Sequence, residues 1–341
     1  MNVSRETVAR WAAKTLYHAP FSRTRAKLEG FAARGFAFPI LTYHRVNDDN
    51  DAFFPSMPTA VFDRHMAYLA RSYRVLSVED LVERMHRRQV PRNAIAITFD
   101  DGYRDNLTAA APILARYGLP ATIFLATGFI GTMDVPWYDR IGRAFQNTTV
   151  VSMTAPWGGA LELVSTEQRL AALDRTLAYF KSLTDDEFGR RLNDVLSVLA
   201  VDDRPWRKGW MLDWDDVLAL KRLGFSVGAH TMHHPILSRV TPERARNEIV
   251  GSRRMIEAAC GSAPAAFAYP NGKPEDYSDA VQRLVREAGF TCAVTTRFGL
   301  NCQKTPVYEL RRGGPWEHDV ATFALKLSVY RLQARYGDAS S

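Results

Sequence analysis

Cysteine is scarce in this chain of 341 residues. There are three, Cys260, Cys292 and Cys302, and no two form a C-x-x-C pair. That argues against a zinc–thiolate site or a redox dithiol, and the odd count against a disulfide framework. They read as buried thiols in a reducing compartment. Long apolar runs are also missing. No window approaches the roughly 20 apolar residues that a membrane span needs. Arg5, Glu6, Arg10 and Lys14 interrupt the stretch where the apolar core of a signal peptide would lie. The expected location is therefore the cytoplasm. Internal repeats and low-complexity segments are absent. Hydrophobic residues at 46% and charged residues at 24% suit a globular chain. The length allows one large α/β barrel or two ordinary domains.

The net charge of +7 is unevenly spread. Residues 1–40 hold seven bases (Arg5, Arg10, Lys14, Arg23, Arg25, Lys27 and Arg34) against Glu6 and Glu29, and the rest holds 37 bases against 35 acids. Val8, Trp11, Ala12, Leu16 and Tyr17 fall at helical spacing within the basic segment. Two readings follow for residues 1–36: a helix lying peripherally on anionic lipid at the inner membrane face, or a helix packed on the body by its apolar side. The nearly neutral remainder and the lack of a recognition motif argue against nucleic acid.

Strand-like and helix-like segments alternate. Residues 37–46, 94–99 (AIAITF), 121–128, 225–229, 265–269 and 291–296 read as buried strands. Helical patterns lie at 60–71, 78–88 after Ser77, 105–117 with a kink at Pro112, 214–223, 241–260 and 277–289. Leu310 begins a last strand-like segment, and 319–336 reads as an amphipathic C-terminal helix. The rhythm breaks at 131–212. There, 147–164 resembles a hairpin, and Ser165-x-x-Gln168 a capping box opening a helical stretch to about 200. The expectation is a distorted (β/α) barrel of about seven parallel strands over 37–318, with 131–212 inserted and 319–341 as helix and tail.

The chemically notable residues sit where strands end. Asp100, Asp101 and Gly102 close AIAITF, His44 follows ILTY, and His230, His233 and His234 follow FSVGA. The C-terminal strand ends of a parallel barrel converge on one face, which carries the active site. Three of eight histidines fall within five positions. Asp101 with His230 and His234 would supply one carboxylate and two imidazoles to a zinc-like divalent ion, leaving positions open for water and substrate. Neighbouring strand residues normally face opposite ways. Gly102 permits a turn that brings both aspartates to one mouth, one to bind metal and one to take a proton from water.

TFDDGYRDN (98–106), GAHTMHHP (228–235) and FAYPNG (267–272), with LTYHRV (41–46) and PILARYGLPATIFLATGFIG (112–131), resemble the NodB-homology polysaccharide deacetylase family over about residues 37–315. The resemblance implies hydrolytic N-deacetylation of an amino sugar in a polysaccharide, oligosaccharide or glycolipid. It implies Asp100 as general base, Asp101, His230 and His234 as ligands of a divalent metal, usually zinc, and the Asn271 N–H as an oxyanion donor. Tyr269, Pro270, Gly272 and Trp214 are expected to face the substrate. Trp137, Tyr138 and Trp316 are further aromatic residues near loops, to be set against simple packing. Thr231 and His233 would shape the histidine loop, with His233 either supporting the ligands or facing solvent.

Two family features are missing. The position of an arginine that orients the catalytic aspartate holds Ala268. A late Leu-x-His motif is replaced by Leu310-Arg311-Arg312. Arg311 or Arg312 could supply the missing charge. His44 is the first choice for the acid that protonates the leaving amine, and His318 the second. Removal of a formyl or O-acetyl group from a lipid-linked sugar is an alternative. A carbohydrate-binding protein without activity is another.

Overall fold

The computed structural model describes residues 37–201, 209–314 and 317–336. The basic segment 1–36 and Trp316 lie outside the described residues. The elements run β1 (Ile40–Tyr43), α1 (Thr59–Ser72), β2 (Arg74–Leu76), α2 (Val78–His86), β3 (Ala94–Phe99), α3 (Ala111–Arg116), β4 (Thr122–Leu125). Then come α4 (Trp137–Asn147), β5 (Ser152–Thr154), β6 (Ala160–Glu162), α5 (Thr166–Ser182), α6 (Asp185–Leu199) and α7 (Trp214–Arg222). They end with β7 (Ser226–Ala229), α8 (Pro242–Cys260), β8 (Ala266–Ala268), α9 (Asp279–Glu287), β9 (Cys292–Val294) and α10 (Val320–Tyr336). No helix among the described residues is long and apolar enough to cross a membrane.

β1, β3, β4, β7, β8 and β9 pair in that order, all parallel, and β2 pairs with the first half of β3. The sheet curls into a half-barrel with helices around it. An irregular segment ties its two edges together. Val294 of β9 bridges Leu310, Phe38 bridges Asn301, and the Gly313 N–H donates to the Ile40 carbonyl of β1 at 3.1 Å. The last predicted strand is thus a single bridge at Leu310.

The period of two sorts side chains between two cores. Ile40, Ala94, Ala96, Phe124, Ala266, Ala268, Cys292 and Val294 form one apolar cluster inside the curl, plugged by Leu81, Val82 and Met85 of α2. Leu41, Ile95, Ile97, Phe99, Ile123, Val227, Phe267 and Ala293 face the other way, into the cluster under the surrounding helices. The inner face is built from small residues around one large one. A Cβ on Gly228 would lie 2.4 Å from the Phe124 ring, so glycine there lets the phenylalanine fill the curl. Truncating Phe124 would cost about 3–5 kcal/mol, as for other buried aromatics.

Local signals account for the helix ends. The Ser77 hydroxyl accepts from the Asp80 N–H at 3.1 Å and opens α2. Thr241 caps α8 ahead of Pro242, and Ser165 with Gln168 closes a capping box on α5. Pro112 has no N–H to donate, and a π-helical turn, Asn106–Ala110, precedes it. The helical stretch 165–200 is two helices rather than one. It breaks at Leu183–Thr184, where Asp185, Asp186 and Glu187 start α6 with acids in its first turn. α4, the β5–β6 hairpin, α5 and α6 share a core of their own, around Trp137, Phe145, Leu161, Phe180 and Leu196. α10 packs on α1, where the Phe323 ring stacks on His65 at 3.8 Å. All three cysteines are free. Only Cys292 is buried, and Cys260 and Cys302 are half-buried, which corrects the expectation for those two.

Candidate active site

The inner parity of β3 runs Ala94, Ala96, Thr98 and then Asp100, so Asp100 projects into the mouth of the curl. There it meets Arg312. Both carboxylate oxygens accept from the guanidinium, Oδ1 from Nη1 and Oδ2 from Nη2, each at 2.7 Å. Arg312 is fully buried. Its Nε donates to the Thr295 carbonyl at 3.0 Å and its Nη1 also to the Thr98 hydroxyl at 3.2 Å. Burial opposes charge on Asp100, but Arg312, with His230, outweighs it and holds the carboxyl far below the usual carboxylate range. Arg312 thus brings a guanidinium to Asp100, which the alanine at position 268 cannot do. Arg311 turns away, exposed, over Gly299.

Beyond Asp100 the backbone turns sharply. Asp101 has φ 75° and Gly102 φ 88°. The left-handed conformation at Asp101 itself, as well as at the glycine, swings the second carboxylate to the same mouth. The return segment from α6 braces the turn. The Leu212 N–H donates to the Gly102 carbonyl at 2.9 Å, and the Arg104 N–H to the Trp210 carbonyl at 3.0 Å.

Asp101, His230 and His234 offer ligand atoms that all lie within 4.8 Å of one another. Asp101 Oδ1 is 3.7 Å from His230 Nε2 and 3.6 Å from His234 Nε2. The His230 Nδ1–H donates to the Ala268 carbonyl at 2.8 Å, which leaves the Nε2 lone pair free to face Asp101. Burial, helped by His230, lowers the His234 pKa to about 4, so its ring is neutral. Among the described residues, Asp101 Oδ1 is buried without a hydrogen-bond partner. A buried carboxylate oxygen left open beside two imidazole nitrogens suits a divalent ion.

The histidine loop is held by Glu248 of α8. Its Oε2 accepts from the N–H groups of Met232 and His233, both at 2.8 Å, and its Oε1 from the His233 ring at 2.9 Å. His233 therefore supports the loop rather than simply facing solvent. The Thr231 hydroxyl donates to the His230 carbonyl and accepts from the His234 N–H at 3.0 Å. Thr231, His234 and Asn271 share with Asp101 a positive φ (64°, 57° and 55°). Such strain clusters where geometry serves a site.

His44 lies one residue beyond the Tyr43–Phe99 register pair, opposite Asp100. Its ring is exposed, its carbonyl accepts from Asn106 Nδ2 at 2.8 Å, and it lies close enough to bear on Asp100. Asn271 is half-buried, and its backbone N–H donates to no backbone acceptor among the described residues. His318 is exposed at the foot of α10, close enough to influence His65. Trp214 is half-buried over Gly131 and packs into the outer core. Pro270 and Gly272 are buried, Gly272 against the backbone of Thr295 and Thr296.

Tyr269 departs from expectation. It has the outer parity of Phe267, is fully buried, stacks on Tyr277 at 4.5 Å and donates to the Tyr308 carbonyl at 3.1 Å. No sugar can reach its ring. The aromatic residue at the mouth is instead Tyr138, whose ring meets His234 edge-on at 5.2 Å. Its neighbour Asp139 accepts from the Tyr103 hydroxyl at 3.0 Å and Trp210 Nε1 at 2.8 Å. Burial raises Asp139 to about 7 despite those two donors.

A model of the polysaccharide deacetylase family matches residues 87–293. YxkH of Bacillus subtilis, which carries a polysaccharide-deacetylase designation, is 20% identical over 276 residues, covering 80% of this chain and 70% of that protein. The poly-beta-1,6-N-acetyl-D-glucosamine N-deacetylase of Escherichia coli is 33% identical over 88 residues, which are 25% of this chain and 13% of that protein. The deacetylase PplD of Streptococcus pyogenes, solved with acetate, superposes with a TM-score of 0.55 at 18% identity, over 82% of this chain and 92% of that one. The half-barrel and the family match agree, and the chain belongs to the polysaccharide deacetylase family, a family of carbohydrate deacetylases.

Proposed function

We propose that this protein hydrolyses the N-acetyl group of an amino sugar in a polysaccharide or oligosaccharide, with Asp101, His230 and His234 holding a divalent ion, zinc in the first instance. The observation that carries the reading is the gathering of those three side chains at the mouth of the curl beside an ionised Asp100. When bound there, a divalent ion polarises the acyl carbonyl and lowers the pKa of water toward about 7. Asp100 keeps lone pairs beyond the two taken by Arg312 and accepts the proton of the attacking water. The Asn271 N–H donates to the oxygen on which negative charge develops. His44 gives a proton to the amine nitrogen as the C–N bond breaks. One water is consumed, and acetate and a free amino sugar leave.

The N-acetylglucosamine polymer named for the Escherichia coli relative makes that sugar the first substrate to try. A lipid-linked sugar at a membrane surface is the alternative, and its support is the basic composition of residues 1–36. The test is release of acetate and of formate from N-acetylglucosamine oligomers and from N-formylated analogues, with zinc-loaded and chelated protein. The reading expects acetate, zinc dependence, and a loss of at least about 100-fold in Asp100→Asn. Formate release alone, or undiminished turnover after chelation, would overturn it.

A further inference from the structure

α4 starts the segment that interrupts the barrel rhythm, yet it is fastened to the Asp100–Gly102 turn. The Tyr103 hydroxyl and Trp210 Nε1 both donate to Asp139, and the 210–212 backbone pairs with Gly102 and Arg104. This anchorage fixes the residue before Asp139. The Tyr138 ring lies edge-on to His234 at 5.2 Å. Its hydroxyl is buried and makes no hydrogen bond of good geometry among the described residues, the Asp101 carboxylate being the one acceptor that bears on it. Asp101 is the charge that bears on it most. Burying a hydroxyl without a partner costs desolvation with no return. Phenylalanine would fill the same space without that cost.

We propose that Tyr138 is a catalytic residue, its hydroxyl donating a hydrogen bond to the carbonyl oxygen of the acyl group bound at Asp101, His230 and His234. The inference rests on the deacetylase reading and adds a second donor to the Asn271 N–H. The donor is ready before substrate arrives, as electrostatic stabilisation of a developing oxyanion requires. It also gives the inserted segment a part in the chemistry.

The experiment compares full-length wild type with Tyr138→Phe, both zinc-loaded. Zinc content is measured by mass spectrometry, thermal midpoint by calorimetry, acetohydroxamate binding by titration calorimetry, and acetate release from an N-acetylglucosamine oligomer. The proposal expects equal zinc content and an equal or higher thermal midpoint. It also expects acetohydroxamate Kd weaker by about tenfold and kcat lower by about 100-fold, as for loss of one oxyanion donor. Wild-type acetohydroxamate affinity in the variant would reduce Tyr138 to packing and overturn the proposal. A parallel loss of zinc would assign the hydroxyl to Asp101 instead, and would also overturn it. If wild type released no acetate from any acylated sugar, the deacetylase reading would fail, and the comparison of acetohydroxamate affinities would still decide the role of Tyr138.

Discussion

Arg312 clasps both oxygens of Asp100 at 2.7 Å across 212 positions of sequence. The segment that closes the half-barrel thereby also fixes the carboxylate proposed as the base. Both partners are buried, so neither can be re-solvated if the other is lost. Arg312→Ala is expected to cost about 3–5 kcal/mol in urea unfolding. Arg312→Lys keeps the charge but not the fork, and is expected to lower acetate release at least about tenfold while retaining the fold. A loss of stability below about 1 kcal/mol in Arg312→Ala would mean that the pair is not closed in solution.

Glu248 is expected to act on the histidine loop without touching substrate. Removing its carboxylate in Glu248→Ala leaves the Met232 and His233 N–H groups without their acceptor. Zinc affinity, read by competition with a chelator, should weaken about 10- to 100-fold, the range for groups that support ligands. Glu248→Gln keeps a side-chain oxygen and should lose less. Equal affinity in all three proteins would show that the loop holds itself.

His65 predicts an acid-sensitive docking of α10. Its ring stacks on Phe323, its Nε2–H donates to the Glu317 carbonyl at 2.7 Å, and its Nδ1 accepts from the Tyr43 hydroxyl at 3.3 Å. Burial, with the Glu317 carbonyl working against it, lowers its pKa to about 4 in the fold, against 6.5 as the ordinary value. The unfolded chain therefore binds the proton first as pH falls. Stability from this residue is fully present above pH 6.5 and declines between there and about pH 4, by about 3 kcal/mol at most. Urea unfolding of wild type and His65→Gln across that window should show a shallower slope in the variant. Parallel slopes would dismiss the role.

Parity along the strands was the most legible feature. Counting by two from AIAITF places Ala94, Ala96, Thr98 and Asp100 on one line, and strand-terminal His44 and His230 point to the same mouth. The same count, applied to Phe267, would have put Tyr269 on the outer face, where it is found buried. The break between α5 and α6 was readable in Thr184-Asp185-Asp186-Glu187, which has the acids of a helix start. Arg312 was visible only as one of two adjacent arginines. Its choice depends on how an irregular segment, 301–313, crosses from β9 to β1, and no periodic pattern encodes that path. Tyr138 and Asp139 carried even less signal. Their roles depend on Tyr103 and Trp210, partners from separate stretches of chain that meet only in the fold.

The claim on which the account rests is that Asp101, His230 and His234 share one ion that the hydrolysis needs. The most direct measurement is metal stoichiometry and acetate release in wild type and in His234→Ala after equal exposure to zinc. The account expects one zinc per chain and measurable turnover in wild type, with both lost together in the variant. One zinc still bound by His234→Ala, or turnover surviving without the metal, would contradict it.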